Sequence, residues 1–353
     1  MIMTRIKAFR EAFAGKADAA LITCPLNCRY LSGVDYTDGF LLITAENAYL
    51  FADSRYIEVA KRDASPEFDV MLLSGRRSAL IKALIKEGIV IGYEDNVMTC
   101  AELSAYESAM PEYKFAAAGG ITEKLRNIKD GAEKESIIKA QRIAETAFER
   151  VLGMLTPEMT EREVALELDY FMRKNGSEGL AFDTIAVSGS NSSLPHGVPT
   201  DKKLGRGFLT MDFGARVNGY CSDMTRTVCI GKPDAEMERL YNTVLSAQCA
   251  ALDFIAAGKK CSDADKVARD IIDGAGYNGL FGHSLGHGVG LYIHEGIHVS
   301  PRSEQVLEKG NVVTVEPGIY VEGKYGVRIE DMVYVTESGC ENLTKAKKNL
   351  III

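Results

Sequence analysis

No run of eighteen apolar residues occurs anywhere in this 353-residue chain, so no membrane span is expected. The first twenty residues carry Arg5, Lys7, Arg10, Glu11, Lys16 and Asp18 in place of the apolar core of a signal peptide, and a cytoplasmic protein is expected. A Lys/Arg-rich run is also missing. The 41 basic side chains face 49 acidic ones for a net charge of -8, which disfavours a nucleic-acid partner. Paired cysteines are scarce: of the eight, only Cys24 and Cys28 lie close, around Pro25-Leu26-Asn27. Reduced thiols are therefore expected, and this pair reads as two small residues at a strand end rather than as a metal clip. The N-terminal third holds no histidine, since all five lie at 196, 283, 287, 294 and 298. Chemistry is expected in the second part of the chain.

What is present suits a globular protein, with 46% apolar and 25% charged residues. The length suggests two domains, and the expected division is 1–122 and 123–353. In the first, Ala19 to Thr23, Gly39 to Thr44, Asn47 to Phe51 and Ile89 to Tyr93 read as strands, and Ser78 to Lys86 as a helix. This is a small α/β domain. In the second, the spacing of Ile137, Ile138, Ala140, Ile143, Ala147, Phe148 and Val151 predicts a helix from Glu133 to about Leu155. Thr160-Glu161-Arg162-Glu163 is a capping box that opens another, ending near Asn175-Gly176. The plan recurs about a hundred residues later. A helix is expected from Ala235 to Ala257, then a second N-cap at Ser262-Asp263-Ala264-Asp265 and a stop at Gly274 to Gly276. Two αα-β halves facing each other are expected.

Acids stand in strand runs where they are costly. Phe208 to Val217 meets Asn218-Gly219, a strong hairpin signal, and returns as Tyr220 to Ile230. A two-residue turn pairs Val217 with Tyr220 and sets Asp212 opposite Thr225, so that Asp223 shares the Asp212 face. Gly282 to Gly290 forms a histidine-bearing glycine loop before a strand-like Leu291 to His294. Val312 to Glu316 reads as a buried strand stopped by Pro317-Gly318. Tyr325 to Asp331 places Arg328 and Glu330 on one face and Asp331 on the other, with a plain Arg328–Glu330 salt bridge as the alternative. Asp212, Asp223, His287, Glu316 and Glu330 could hold two divalent cations, and such a pair can turn water into a nucleophile.

Met211-Asp212-Phe213-Gly214, Ser222 to Thr227, Gly286 to Leu291, Glu316 to Tyr320 and Gly326 to Asp331 together resemble the proline-specific M24 (pita-bread) metallopeptidases, the aminopeptidase P and Xaa-Pro dipeptidase (prolidase) family. Asp53-Ser54-Arg55-Tyr56 is similar to a motif of that family's creatinase-like N-terminal domain. The resemblance implies an α/β (α+β) chain, with that N-terminal domain followed by a pita-bread domain of pseudo-twofold αα-β halves. It implies that Asp212 and Asp223 bind a first metal, that Asp223 and Glu330 bridge to a second, and that His287 and Glu316 complete the second site. His196, His283 and His294 would line the cleft, the last two steadying the tetrahedral intermediate. Arg328 would orient a bridging carboxylate, and Glu316 would also shuttle a proton. His298 reads as peripheral. Mn²⁺ is the expected ion, with Co²⁺ or Zn²⁺ as alternatives.

Peptides with proline second are the expected substrates, and a homodimer is implied by the resemblance. Many dipeptidases of this family place Trp-Pro-Arg after His-Glu, where the arginine grips the dipeptide carboxylate. Here the run is His294-Glu295-Gly296-Ile297-His298, so that clamp is absent or replaced, with Arg302 as the candidate. The expected activity is therefore Xaa-Pro aminopeptidase. Xaa-Pro dipeptidase is the alternative, and a metal-free peptide-binding relative is the remote one.

Overall fold

The computed structural model describes residues 4–353. The chain divides into two compact units with the break after Arg126, against an expected break after 122. In the first unit the order is α1 (Arg5–Phe13), β1 (Ala19–Ile22), α2 (Pro25–Ser32), β2 (Gly39–Thr44), β3 (Ala48–Ala52) and α3 (Ile57–Asp63). It continues with β4 (Asp69–Leu72), α4 (Arg77–Lys82), β5 (Val90–Tyr93), α5 (Cys100–Ala109), β6 (Lys114–Ala117) and α6 (Ile121–Arg126). The strands form one sheet in the order β4-β3-β2-β1-β5-β6. Leu21, Phe40, Leu42, Phe51 and Ile91 pack its core. Cys24 and Cys28 belong to a helix rather than a strand end: Cys24 is the N-cap residue of α2 and Cys28 lies within it. The open amides before that helix are met by buried Glu94, which accepts from Thr23 N at 2.6 Å and Cys24 N at 2.8 Å.

The second unit opens with α7 (Gly131–Leu152) and α8 (Glu161–Lys174), followed by β7 (Ile185–Ser188), β8 (Gly207–Phe213), β9 (Arg216–Val217), β10 (Tyr220–Cys221) and β11 (Met224–Ile230). Both helices start on capping boxes. At α8 the Thr160 hydroxyl accepts from Glu163 N while Thr160 N donates to Glu163 Oε2 at 2.7 Å. At α7 the same device uses Asp130 and Glu133. The apolar faces of α7 and α8 pack on the sheet β11-β8-β7 through Phe148, Leu168, Leu209, Met211 and Phe213.

The second half repeats the plan with α9 (Ala235–Phe254) and α10 (Cys261–Ile272), then β12 (Gly286–His287), β13 (His298–Val299), β14 (Val312–Val315), β15 (Gly318–Val321), β16 (Tyr325–Arg328), β17 (Asp331–Val335) and β18 (Cys340–Asn342). Leu240, Val244, Ala268, Val313, Val327 and Val333 share its core. Each half thus buries the stripe of a helix pair against β structure. Among the described residues no helix is long and apolar enough to cross a membrane.

Two local expectations are overturned. Helix α10 begins at Cys261 on Lys260, with no side-chain cap, rather than on Ser262. Its first amide is taken by Gln305 O at 2.9 Å, and Asp265 is buried in pairing with Arg269, so tertiary contacts set the start. Leu291 to His294 is not a strand but a tight loop, closed by Glu295 N donating to Gly288 O at 2.9 Å and Gly290 N to Tyr292 O at 3.1 Å.

Candidate metal centre

Strand alternation aims the acids at one place. Along β8, Leu209, Met211 and Phe213 enter the core, so Thr210 and Asp212 take the other face. Asn218 and Gly219 have φ of 51° and 80°, the left-handed pair of a type I′ turn. That turn sets the register: Val217 pairs with Tyr220 and Asp212 with Thr225. In the other half Val313, Val315, Val327 and Ile329 enter the core, which turns Thr314, Glu316, Arg328 and Glu330 outward from it. Asp212, Asp223, His287, Glu316, Arg328 and Glu330 line one cavity of about 380 Å³, together with His196, His283, His294 and His298.

Within the cavity, ligand atoms of Asp223, His287 and Glu330 all lie within 4.8 Å of one another. His287 Nε2 stands 3.5 Å from Asp223 Oδ2 and 3.4 Å from Glu316 Oε1. The His287 Nδ1 lies 3.2 Å from Gly288 O, which places the ring hydrogen there and leaves Nε2 with a lone pair. Thr314 ties the backbone to the site: its hydroxyl accepts from His287 N at 3.0 Å and donates to Glu316 Oε1 at 3.1 Å. Thr225 does the same between the halves, donating to Glu330 Oε2 at 2.7 Å and accepting from Arg328 Nε at 3.0 Å. Arg328 does not bridge to Glu330 directly; its Nη2 donates to Asp212 Oδ2 at 2.8 Å.

Burial, then repulsion from Glu330, Asp212 and Glu316, pushes the Asp223 carboxyl well above its ordinary range. Glu330 is raised well above its own by burial and by Glu316 and Asp212. Glu316 is pushed up to about 8, chiefly by burial. Burial, with His294 alongside, pushes His287 down to about 3. The cluster is thus short of positive charge. Asp212 Oδ1 is buried without a hydrogen-bond partner, and the His287 lone pair faces carboxylate oxygens. Oxygen donors with one neutral imidazole and an orphaned acceptor fit divalent cations.

Hydroxyl and carboxylate partners that the sequence reading did not single out hold the surroundings. Tyr320 OH accepts from Arg328 Nη1 at 2.8 Å and lies 2.8 Å from His283 Nε2. His283 Nδ1 is 2.9 Å from Ser284 O, so both its ring nitrogens are engaged and none is left to donate into the cavity. Burial, then Arg328, pushes His283 down to about 4. His294 stands edge-on to His287 with ring centroids 4.2 Å apart. His196 sits on the loop after a short 3₁₀ turn. Fully buried Glu161 ties that loop by accepting from Ser188 N at 2.7 Å, Asn191 Nδ2 at 2.8 Å and Thr200 N at 3.0 Å. His298, read as peripheral, lines the cavity because it pairs with His287 across β12 and β13. Arg302 lies instead in an adjoining groove bordered by His283 and Ser284.

Two αα-β halves closing on clustered carboxylates and an imidazole define the class of metal-dependent hydrolases. Residues 135–337 match Metallopeptidase family M24 and residues 5–128 match the Creatinase/Prolidase N-terminal domain, so the chain belongs to family M24 and is a peptidase of the pita-bread fold. It is 37% identical over 336 residues to an Xaa-Pro dipeptidase of Pyrococcus furiosus, covering 95% of each chain. Among solved structures it is similar to an Xaa-Pro dipeptidase from Bacillus anthracis, with 41% identity, a TM-score of 0.95 and 99% of each chain covered. An X-Pro aminopeptidase from Thermotoga maritima matches with 39% identity, a TM-score of 0.90 and coverage of 96% of this chain and 98% of that one.

Proposed function

We propose that this chain is an Xaa-Pro dipeptidase that uses two divalent cations to split dipeptides with proline second. The resemblance in the sequence alone put the aminopeptidase first; the similarity to the Bacillus anthracis dipeptidase over 99% of both chains carries the reversal. A cavity of about 380 Å³ is at the small end of ligand sites, which suits a two-residue substrate. The aminopeptidase stays as the second reading because the Thermotoga maritima neighbour is named for that activity.

Asp212 and Asp223 would hold one ion and His287 and Glu316 the other, with Asp223 and Glu330 shared between them. A bound pair supplies a water of lowered pKa and a Lewis acid for the scissile carbonyl. The bond before proline is a tertiary amide with no N–H, so recognition rests on the carbonyl and the ring rather than on an amide donor. Glu316 takes the proton of the attacking water and gives it to the proline nitrogen, which leaves as a secondary amine. His294 donates to the carbonyl oxygen as it gains charge. His283, with both ring nitrogens engaged, orients Tyr320 and through it Arg328. Arg328 in turn fixes Asp212.

Hydrolysis of Ala-Pro and Ala-Pro-Pro-Ala by the Mn²⁺-loaded protein tests the reading. The dipeptide should have the higher kcat/KM. Preference for the tetrapeptide installs the aminopeptidase, and inertness toward both ends the proline-specific reading. A cytoplasmic homodimer belongs to the same proposal, and light scattering should give twice the chain mass.

A further inference from the structure

We infer that Lys129 is a positioning residue for His294, acting through Glu295. The inference rests on the role proposed for His294. Lys129 and Glu295 form a buried ion pair with Nζ 3.0 Å from Oε1, their side chains only 2% and 8% exposed. A pair this dry is seldom retained for stability alone, because taking two charges from water offsets most of their attraction. Its location says what it does. Glu295 follows His294 directly, and the loop between Gly288 and Ile297 is folded around its carboxylate. Oε2 accepts from Tyr292 N at 3.2 Å. Oε1 occupies the place a side chain would need at Gly290, 1.8 Å from where a Cβ would stand, so only glycine admits it there. Backbone bonds close the loop around this centre, from Glu295 N to Gly288 O and from Gly288 N to Ile297 O at 2.7 Å.

The backbone that carries the cation is moored to the turn before β14, the strand that leads into Glu316. Lys129 N donates to Gly310 O at 2.8 Å, and Asn311 Nδ2 donates to Asn127 O at 3.0 Å, both on the turn that enters β14. The ammonium therefore measures the distance between the metal-ligand ladder and the loop that presents His294. No hydrogen bond among the described residues ties the His294 ring, so its place depends on the loop backbone and on the His287 ring beside it. Without Lys129 the Glu295 carboxylate loses the buried ammonium that faces it at 3.0 Å, and the loop folded around that carboxylate shifts, carrying His294 with it.

Lys129→Met keeps the length of the stem and deletes the charge. On Ala-Pro, kcat should fall by about tenfold or more while bound metal stays at the wild-type level, as for a group that orients another. KM should change by less than about threefold, because the support is realised in the transition state. Lys129→Arg should recover most of the loss. In a His294→Ala background the same Lys129→Met change should cost less than about twofold, since what it supports is already gone. Equal losses in both backgrounds overturn the proposal, as does a Lys129→Met enzyme with wild-type kcat. If Lys129→Met does not fold, Glu295→Gln passes through the same cycle with the same outcomes. A readout independent of turnover separates this from failure of the peptidase reading. With five histidines in the chain, ring NMR signals of His294, assigned by their loss in His294→Ala, should move in Lys129→Met while those of His196 stay. Unmoved His294 signals overturn the positioning role whatever the substrate proves to be.

Discussion

Four carboxylates share the cavity with the Arg328 guanidinium, and each has a different polar neighbour. Asp212 leans on Arg328, Glu330 on the Thr225 hydroxyl and Glu316 on Thr314, while Asp223 faces the His287 lone pair. Asp223→Asn and Glu330→Gln should each abolish turnover and retained metal. Each also removes one like charge from a buried cluster, so the metal-free variants should melt no lower than the metal-free wild type by calorimetry. A lower melting temperature would show these acids to be structural. The acids were legible in the sequence because charged residues inside strand runs have few harmless explanations. Thr225, Thr314 and Tyr320 were not, since hydroxyls are common in strands and nothing local marks a partner as distant as Glu330 is from Thr225, 105 residues on. His283 gives a pH effect. Held near 4 by burial, it stays neutral in the folded chain, whereas in the unfolded chain it gains a proton once the pH drops below about 6.5. Its contribution is therefore intact above about 6.5 and is lost as the pH falls toward 4. Between pH 7 and pH 5 the wild type should lose about 1–2 kcal/mol more stability than His283→Gln, allowing for partial solvent screening. Urea unfolding at the two pH values measures it.

At the scale of elements, adjacent residues at the start of α8 have separate duties. Thr160 caps the helix, and Thr160→Ala should cost about 1 kcal/mol with kcat/KM unchanged. Glu161 points the other way and holds the loop of His196 by several donors. Glu161→Ala leaves buried donors open, which should cost about 3 kcal/mol or more. Misplacing the loop should also lower kcat/KM by roughly tenfold or more. Denaturation and Ala-Pro kinetics on both variants separate the two duties. Elements with a local cause were readable: the capping box at Thr160 and the Asn218-Gly219 turn each carry their own geometry, and the turn alone set the Asp212–Thr225 pairing. Elements with a tertiary cause were not. Helix α10 takes its start from Gln305, and the Leu291 to His294 stretch bends where the Glu295 carboxylate, three residues on, accepts from the Tyr292 amide.

For the whole molecule, the repeat was legible only as an order of helices and strands, because the two halves share architecture and little identity. Neither half owns a complete cluster: Asp212 and Asp223 come from one, His287, Glu316 and Glu330 from the other. Chelation should therefore silence the enzyme and soften it. At a metal concentration about 100-fold above its Kd, binding adds about 2.7 kcal/mol. Restoring Mn²⁺ to EDTA-treated protein should raise the melting temperature of the second unit by roughly 5–10 °C. An unchanged melting curve would place the ions elsewhere.

Glu330 and Asp331 are neighbours in the chain with opposite fates. One lies in the cavity, and the other is sealed beneath it with Arg226 and Lys348. A one-residue slip at β17 would set Met332 where Asp331 meets Arg226 and Lys348, or Ile329 where Glu330 meets the cavity, so one charge cluster would lose its acid. Faulty strand pairing would thus forfeit either cargo or cohesion whichever way it slid, so this acidic doublet acts as a built-in proofreader of its own ladder.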